Sequence, residues 1–314
     1  SHETIDTAWI IIKEVLAPIA IGKEWTAPSE IGLWFKQIRG HQMARAAVEN
    51  ACWDMTARIN NVALHKLLGG THKEIPCGVS IGIQDTPEQL LEKIRIEVEA
   101  GYRRIKIKIK PGWDYDILKL VRQAFPDITL SVDANSAYTL ADINLLKSLD
   151  EFNLLMIEQP LSHDDIVDHA HLQKQITTDI CLDEPITSLD KTRKAIEMKS
   201  GRIINLKLGR VGGFSEAIKI HNYCNEHNIP VWCGGMLEAG IGRSHNIAMS
   251  TLAGFSLPGD VSASKRYFRE DIIEPPVTVS KDGFIKITQV TGTGYEPKED
   301  YIERITARKE VFPA

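Results

Sequence analysis

Residues 104–110 read RIKIKIK, a strict alternation of isoleucine with basic side chains. Successive side chains of a β-strand point to opposite faces, so the isoleucines share one face and the lysines share the other. The isoleucine face is expected to pack under covering helices. Lys106 and Lys108 then point to the other side, which is solvated at the edge of an open sheet and interior in a closed barrel. The run predicts a strand. Whether its lysines face solvent in an open sheet or the interior of a closed barrel depends on the pattern in the rest of the chain.

Short apolar runs alternate with amphipathic stretches on both sides of this strand. The runs that predict strands are 77–83, 103–109, 128–133, 154–158, 180–183, 203–207, 229–233 and a weak one near 255–258. The stretches that predict helices are 87–100, 115–124, 140–149, 165–175, 188–199, 214–227 and 240–252. Repeated βα units predict an α/β fold with a parallel sheet. Eight strands favour a closed barrel, a modified TIM barrel of the (β/α)7β type, over an open doubly wound sheet.

The residues before the repeats predict a helical block, with helices at 4–17 and 41–69. The chain begins at Ser1 without an initiator methionine and enters a helical pattern almost at once. We therefore expect a fragment with a partial, amino-terminally truncated α+β capping domain. The expected parts are the remaining helical part of the capping domain at 1–74, the barrel at 75–284 and a C-terminal segment at 285–314 that packs back on the capping domain.

Composition limits the classes of partner. The 314 residues carry a net charge of −5 with acidic and basic residues interspersed, so neither a nucleic-acid surface nor an anionic membrane surface is indicated. No apolar run reaches the roughly 18 residues needed to span a bilayer. The five cysteines are odd in number and include no C-x-x-C pair, which favours a reducing cytoplasm. We expect a cytoplasmic homo-oligomer that binds a small molecule.

Five ionisable residues recur at the spacing of one βα unit. Lys108, Asp133, Glu158 and Asp183 are 25 residues apart, and Lys207 follows 24 residues later. Each lies at or just after the end of an apolar run, and the carboxyl ends of barrel strands meet at one mouth. The spacing therefore predicts that all five face a single cavity.

Three converging carboxylates repel one another unless they are protonated, paired or bridged by a cation. Ligation by oxygen alone, without adjacent His or Cys, points to Mg²⁺, or alternatively Mn²⁺, rather than zinc. Any one of these carboxylates has an ordinary alternative as a strand-end residue paired with a surface lysine. Three at the same register favour a metal site.

The two lysines at the ends of this series predict proton transfer. Lys207 ends the strand four units around the ring from Lys108, so a substrate in the cavity lies between two amines. One amine can remove a proton from the carbon beside a carboxylate. The other can stabilise the resulting enolate or protonate its opposite face. We expect a small-molecule carboxylate as substrate.

The motifs around these residues resemble the enolase superfamily, in its muconate-lactonising subgroup and within it the o-succinylbenzoate synthase and N-succinylamino acid racemase family. The resemblance covers the barrel and most of the helical block. The matching motifs are KIK at 106–108, KPGWD at 110–114, DAN at 133–135, IEQP at 157–160, LDE at 182–184, GRVGG at 209–213, GGMLE at 234–238 and PGD at 258–260.

This resemblance implies roles for individual residues. It implies that Lys108 is the base, that Lys106 modulates it, and that Lys207 is the enolate stabiliser or second acid/base. The metal ligands it implies are Asp133, Glu158 and Asp183. The substrate-contacting positions it implies are Ser80, Gly234, Gly235 and Met236, the last three beside a succinyl carboxylate.

Two of the candidate substrate contacts have equally ordinary readings. Ser80 at a strand end can instead bond its hydroxyl to the backbone. Asn135, two residues beyond Asp133 on the same face, can contact substrate, support the metal site or form a turn.

The resemblance implies metal-dependent dehydration of a cyclohexadiene carboxylate to o-succinylbenzoate, a step of menaquinone synthesis. Racemisation of N-acylamino acids by the same two lysines is the alternative, and both activities can coexist. A Schiff-base aldolase would use a barrel lysine without three carboxylates. A binding barrel without activity would have lost some of the five polar residues, which are all present. A dipeptide epimerase is disfavoured because residues 258–262 contain no Asp-x-Asp.

Overall fold

The computed structural model describes residues 2–312, which begin with a block of helices. Its helices are α1 (Ile5–Ile11), which continues through a π-helical turn (Ile12–Leu16) into α2 (Ala17–Ala20), then α3 (Ser29–Trp34), α4 (Gln42–Ile59) and α5 (Leu64–Leu67). The prediction of a single helix at 41–69 is wrong, because the structure has two helices there, α4 and α5. The chain turns at Asn61, which has a φ of 51°, and this left-handed residue separates α4 from α5.

The barrel follows as alternating strands and helices. Its elements are β1 (Glu74–Pro76), β2 (Gly78–Ile81), α6 (Pro87–Glu99), β3 (Arg104–Lys108), α7 (Tyr115–Ala124), β4 (Leu130–Asp133), α8 (Ile143–Ser148), β5 (Ile157–Glu158), α9 (Val167–Gln173), β6 (Ile180–Leu182), α10 (Leu189–Met198), β7 (Ile203–Leu206), α11 (Leu208–Val211), α12 (Phe214–Glu226), β8 (Val231–Cys233) and α13 (Gly240–Met249). Strands β2 to β8 form one parallel sheet in chain order, which confirms the predicted α/β barrel fold.

The predicted eighth strand near 255–258 is not a regular strand. In the described part of the chain this segment makes only single parallel bridges, from Phe255 to Val231 on β8 and from Gly259 to Cys77 beside β2. Pro258 lacks the N–H that a continuous ladder requires, so pairing is interrupted there. The two bridges nevertheless connect the last strand of the sheet to the first and close the ring.

The alternation in residues 104–110 orients strand β3 as expected. Ile105 and Ile107 are buried in the main hydrophobic core with the inner faces of α6 and α7. In α7 the buried residues Ile117, Leu118 and Val121 follow helical spacing, so this helix covers the strand with one apolar face. The lysines of β3 therefore face the barrel interior.

The buried Glu49 fastens the helical block to the barrel. Its carboxylate accepts hydrogen bonds from the backbone N–H of Phe214 at 2.7 Å and of Ser215 at 3.0 Å, at the start of α12. It also accepts the indole N–H of Trp53 at 2.9 Å. A Cβ on Gly213 would lie 2.1 Å from a Glu49 oxygen, so only glycine leaves room for this contact. One side chain of α4 thus satisfies the first N–H groups of a barrel helix.

The C-terminal part contains β9 (Ile273–Glu274), β10 (Phe284–Lys286), β11 (Glu296–Pro297) and α14 (Glu299–Ile305). Strand β10 pairs with β1, and β11 pairs with β9. Gly292 exchanges backbone hydrogen bonds with Val62 and Leu64 beside the helical block. The domain boundaries at 74 and 284 stay a prediction. No helix within residues 2–312 is long and apolar enough to cross a membrane.

Candidate active site

The five regularly spaced polar residues lie at the carboxyl ends of successive strands. Lys108, Asp133 and Glu158 are the last residues of β3, β4 and β5, and they are direct register partners across these strands. Asp183 follows the last residue of β6, and Lys207 follows the last residue of β7. The strands are parallel, so all five residues are placed at the same mouth of the barrel.

Lys106 lies at the centre of a buried ionic network. Its ammonium group is 2.6 Å from Glu158, 3.0 Å from Asp260 and 3.3 Å from Asp133. Its Nζ also lies 4.8 Å from the centre of the Trp232 ring. Burial lowers the pKa of Lys106, but the three carboxylates raise it by more, to well above its ordinary value. Lys106 is therefore a fixed positive charge beneath the other polar residues.

Lys108 is the more accessible lysine of β3. Its ammonium group donates to Asp133 at 2.6 Å and to the side-chain oxygen of Asn135. About a third of the Lys108 side chain is exposed, compared with almost none of Lys106. Asn135 in turn donates to Glu184 at 3.2 Å. Lys108 is therefore held by two side chains while its amine can reach a molecule in the cavity.

Lys207 is held on the other side of the ring. Its ammonium group donates to Asp183 at 2.8 Å, and the Arg210 guanidinium donates to the other oxygen of the same carboxylate. Burial lowers the pKa of Lys207, but the negative charges around it, of which Asp183 and Glu158 are the main ones, together raise it by more, so Lys207 holds its proton in this arrangement. An ammonium group here can stabilise negative charge that develops on a bound substrate.

Gly234 gives Lys207 its space. A Cβ built on this glycine would lie 2.4 Å from Lys207 Cε and 2.1 Å from the side-chain oxygen of Asn205. Both distances are shorter than real Cβ contacts, so any larger residue displaces both side chains. Gly234 therefore contributes to the site through close packing of its backbone.

The three carboxylates of Asp133, Glu158 and Asp183 offer oxygen ligands, which hard cations prefer. Glu158 is fully buried, and its pKa is raised to about 7 by burial and by the nearby charges of Asp133 and Asp183. A cation bound between these oxygens would relieve that repulsion. Within residues 2–312, no three His, Cys, Asp or Glu side chains are gathered closely enough to hold a metal as they stand. The oxygens of the three carboxylates are hydrogen-bonded instead to Lys106, Lys108, Lys207, Arg210 and Asn205.

A cavity of about 260 Å³ opens above these residues. Lys106, Lys108, Asp133 and Lys207 line it, so both proposed acid/base residues face the same space.

The other candidate substrate contacts divide between two cavities. Ser80, Asn135 and Gly235 also line the cavity that contains the lysines. Met236 instead lines a neighbouring, more apolar cavity between α4 and α13. Ser80 donates its hydroxyl to Asp260 at 2.8 Å and so does not bond to backbone.

Sequence reasoning missed several polar partners of this site. Asn205 donates to Glu158 at 2.7 Å, and Arg104 donates to Asp260 beneath Lys106. Arg104 precedes Lys106 by two residues, and Asn205 precedes Lys207 by two. Side chains two residues apart on a strand share a face, so this spacing was the signal that could have identified both.

Comparison with known proteins agrees with the fold and the motifs. Residues 3–69 match the family model of the mandelate racemase / muconate lactonizing enzyme N-terminal domain, and residues 89–301 match the enolase C-terminal domain-like model. The o-succinylbenzoate synthase of Geobacillus kaustophilus is 53% identical over 99% of this chain and 83% of that protein. The N-succinylamino acid racemase of Thermus thermophilus is 46% identical over 97% of this chain and 82% of that protein.

Solved structures agree with the sequence comparison. A member of the enolase superfamily from Listeria innocua superimposes with a TM-score of 0.93 at 46% identity, over 97% of this chain and 82% of that one. The two family models together, and this structural match by itself, span the helical block as well as the barrel. The chain therefore belongs to the enolase superfamily.

Proposed function

We propose that this protein is an o-succinylbenzoate synthase, which dehydrates a cyclohexadiene carboxylate to o-succinylbenzoate in menaquinone synthesis. The observation that carries the proposal is that Lys108 and Lys207 reach one cavity from strands four positions apart in the ring, with the carboxylates between them. Three relatives named o-succinylbenzoate synthase support it with 46 to 53% identity over 99% of this chain.

The proposed chemistry starts at the carbon beside the substrate carboxylate. Lys108, in its neutral form, takes the proton from this carbon, and the electron pair of the broken C–H bond moves towards the carboxylate to form an enolate. Lys207 stabilises the enolate with its positive charge. The electron pair then returns to form a carbon–carbon double bond and breaks the C–O bond at the neighbouring carbon, and the departing hydroxyl takes up the proton that Lys108 removed and leaves as water. Lys106 stays charged and supports the position of Lys108 through their shared partner Asp133.

Asp133, Glu158 and Asp183 are the residues that would hold Mg²⁺, or alternatively Mn²⁺. Such a cation supplies positive charge to the substrate carboxylate and so makes its weakly acidic α-proton removable. The carboxylates must exchange some of their present ammonium partners for the cation. Addition of a chelator should therefore abolish turnover, and Mg²⁺ should restore it.

Racemisation of N-succinylamino acids is the second candidate. Two amines on opposite sides of one cavity can act in turn, one removing the α-proton and the other returning a proton to the opposite face. Two relatives named N-succinylamino acid racemase support this candidate, at 46% and 42% identity. Ser80, Asn135, Gly234, Gly235 and Met236 stay the proposed substrate contacts of either reaction.

Turnover of both substrates by matched variants tests the proposal. With Mg²⁺, we expect the wild-type protein to dehydrate the cyclohexadiene acid, and we expect Lys108→Ala and Lys207→Ala each to lose at least about 100-fold in kcat. The surface variant Lys119→Ala, which removes an exposed lysine of α7, should retain the wild-type rate. Undiminished turnover in both active-site variants would refute the two-lysine mechanism. Racemisation without dehydration would assign the second candidate.

Cytoplasmic location and a homo-oligomeric state stay proposals. All five cysteines are free thiols, and four of them are buried, which accords with a reducing compartment.

A further inference from the structure

A second cavity, of about 340 Å³, lies between the helical block and the barrel. It shares no lining residue with the cavity of the two lysines, which is called the active-site cavity below. Its walls come from α3 and α4 of the helical block, from the segment before α10 and from the first turn of α12. Cavities of this size ordinarily hold small ligands. The charged residues that line it are Lys36, Arg45, Glu49, Glu216 and Lys219.

Arg45 of α4 is a half-buried cation of this second cavity, and its hydrogen bonds go only to neutral oxygens. Its guanidinium donates to the side-chain oxygen of Gln42 at 2.8 Å and to the carbonyl of Ile38 at 3.5 Å. Its Nε–H is buried without a hydrogen-bond partner. Among the described residues, no carboxylate oxygen lies within 4.0 Å of this guanidinium. Arg45 therefore carries a charge that the protein leaves unneutralised at short range.

The acids nearest to Arg45 are already bound to the starts of helices. Burial lowers the pKa of Arg45 by more than the charges of Glu216, Glu49 and Glu3 raise it. Glu3 accepts two N–H groups in the first turn of α4, at 2.9 and 3.0 Å. Glu49 accepts the N–H groups that begin α12, and Glu216 accepts the first N–H of α10 at 2.8 Å. Each of these acids thus offsets the positive end of a helix dipole rather than the charge of Arg45.

Lys36 is a second cation of this cavity without a carboxylate partner. It follows α3 and is exposed, and no carboxylate oxygen within residues 2–312 lies within 4.0 Å of its ammonium group. Lys219, by contrast, pairs with Glu216 at 3.5 Å. The second cavity therefore presents two positive charges that no acid neutralises at short range. Ser29 and Thr187 add hydroxyl groups to its wall.

We propose that the second cavity is a binding site for a phosphate dianion, either free or as the phosphoryl group of a small metabolite. A phosphoryl group carries a charge of about −1.5 to −2 near pH 7, which matches the two unneutralised cations. The guanidinium of Arg45 can donate to two phosphate oxygens at once, and hydroxyl groups can donate to the others. Lys36 and Arg45 belong to the helical block and Thr187 to the barrel, so the bound anion connects these two parts. The site is separate from the one that carries the proposed function.

Calorimetric titration with inorganic phosphate, in the presence of Mg²⁺, tests the inference. We expect the wild-type protein to show a saturable site with a Kd of about 1 mM or below. Arg45→Met keeps an extended side chain without its charge and should weaken binding by at least about 10-fold, the usual contribution of a charged hydrogen bond. Lys36→Met changes an exposed side chain that folding does not need, and it should weaken binding by about two- to fivefold.

A second titration, with glycerol phosphate, distinguishes the two sources of the phosphoryl group. Tighter binding than that of inorganic phosphate, lost in Arg45→Met, would support the site and assign it to a phosphorylated metabolite. Equal or weaker binding, again lost in Arg45→Met, would support the site and assign it to free phosphate. Phosphate should also raise the melting temperature of the wild-type protein, because it binds the folded state, and this rise should be reduced in Arg45→Met.

Arg39→Met is the matched control, because it removes an exposed arginine that does not line the second cavity. Lys108→Ala is the control for the active-site cavity, whose cations also attract anions. Both variants should bind phosphate as the wild-type protein does. The lack of a saturable site below about 10 mM phosphate, or unchanged affinity in both Arg45→Met and Lys36→Met, would overturn the inference. A loss of phosphate binding confined to Lys108→Ala would place the anion in the active-site cavity and overturn it as well.

Discussion

Replacement of Gly234 by alanine tests whether catalysis depends on the position of Lys207, because it should displace this lysine without removing it. The new Cβ would lie 2.4 Å from Lys207 Cε, whereas ordinary contacts begin at 3.4 Å. The lysine must therefore move by about 1 Å, and Asn205, whose side-chain oxygen would lie 2.1 Å from the same Cβ, must move as well, which strains its hydrogen bond to Glu158. A displacement of this size in a catalytic group typically costs about 100-fold in rate. We expect kcat of Gly234→Ala to fall by about this factor while Lys207 itself is unchanged.

Steady-state turnover with Mg²⁺ measures this effect, and thermal unfolding in parallel checks that the variant is folded. Gly209→Ala is the matched control, because Gly209 is also close to Lys207 in sequence. The nearest neighbour of its new Cβ would be Met43 at 3.6 Å, an ordinary contact distance. It should keep kcat within about threefold of wild type. A folded Gly234→Ala protein with wild-type kcat would refute the reasoning that this glycine sets the position of Lys207.

Two further predictions concern stability. Glu49→Gln should lower the free energy of unfolding by about 2–3 kcal/mol in urea titrations, because a neutral amide cannot accept from the N–H groups of Phe214, Ser215 and Trp53 as the carboxylate does. The exposed α12 control Glu226→Gln should change it by less than about 0.5 kcal/mol, and equal effects of the two changes would contradict the role of Glu49. Burial lowers the pKa of His245 from 6.5 to about 4. Between these pH values the unfolded state binds a proton that the folded state does not, so the folded state loses stability as pH falls from 6.5 towards 4. This loss is worth about 3 kcal/mol, and His245→Gln should lack it; the same pH dependence in both proteins would exclude His245 as its source.

The barrel and its row of polar residues were predictable because both depend on local spacing. Alternation in residues 104–110 determines which face of the strand is apolar, and one βα unit per step places Asp133 and Glu158 in register. The interruption at Pro258 was also visible in the sequence, but its effect on the last strand depends on backbone pairing with both neighbours.

The partners of these residues could not be predicted in the same way. Lys106 shares its charge among Glu158, Asp133 and Asp260, and the last of these lies 154 residues further along the chain. Spacing gives the position of a residue around the ring, but rotamers and the competition among neighbouring charges decide which pairs form. The lack of a carboxylate beside Arg45 is likewise a property of the packed structure.

The central claim is that Lys108 and Lys207 act on one substrate from opposite sides of a single cavity. The most direct measurement is α-proton exchange of N-succinyl-L- and N-succinyl-D-amino acids in deuterated water with Mg²⁺, followed by proton NMR for each lysine variant. Lys108→Ala should retain exchange of one enantiomer and lose that of the other, and Lys207→Ala should show the reverse selectivity. Loss of exchange for the same enantiomer in both variants, or full exchange of both enantiomers in either one, would contradict the account.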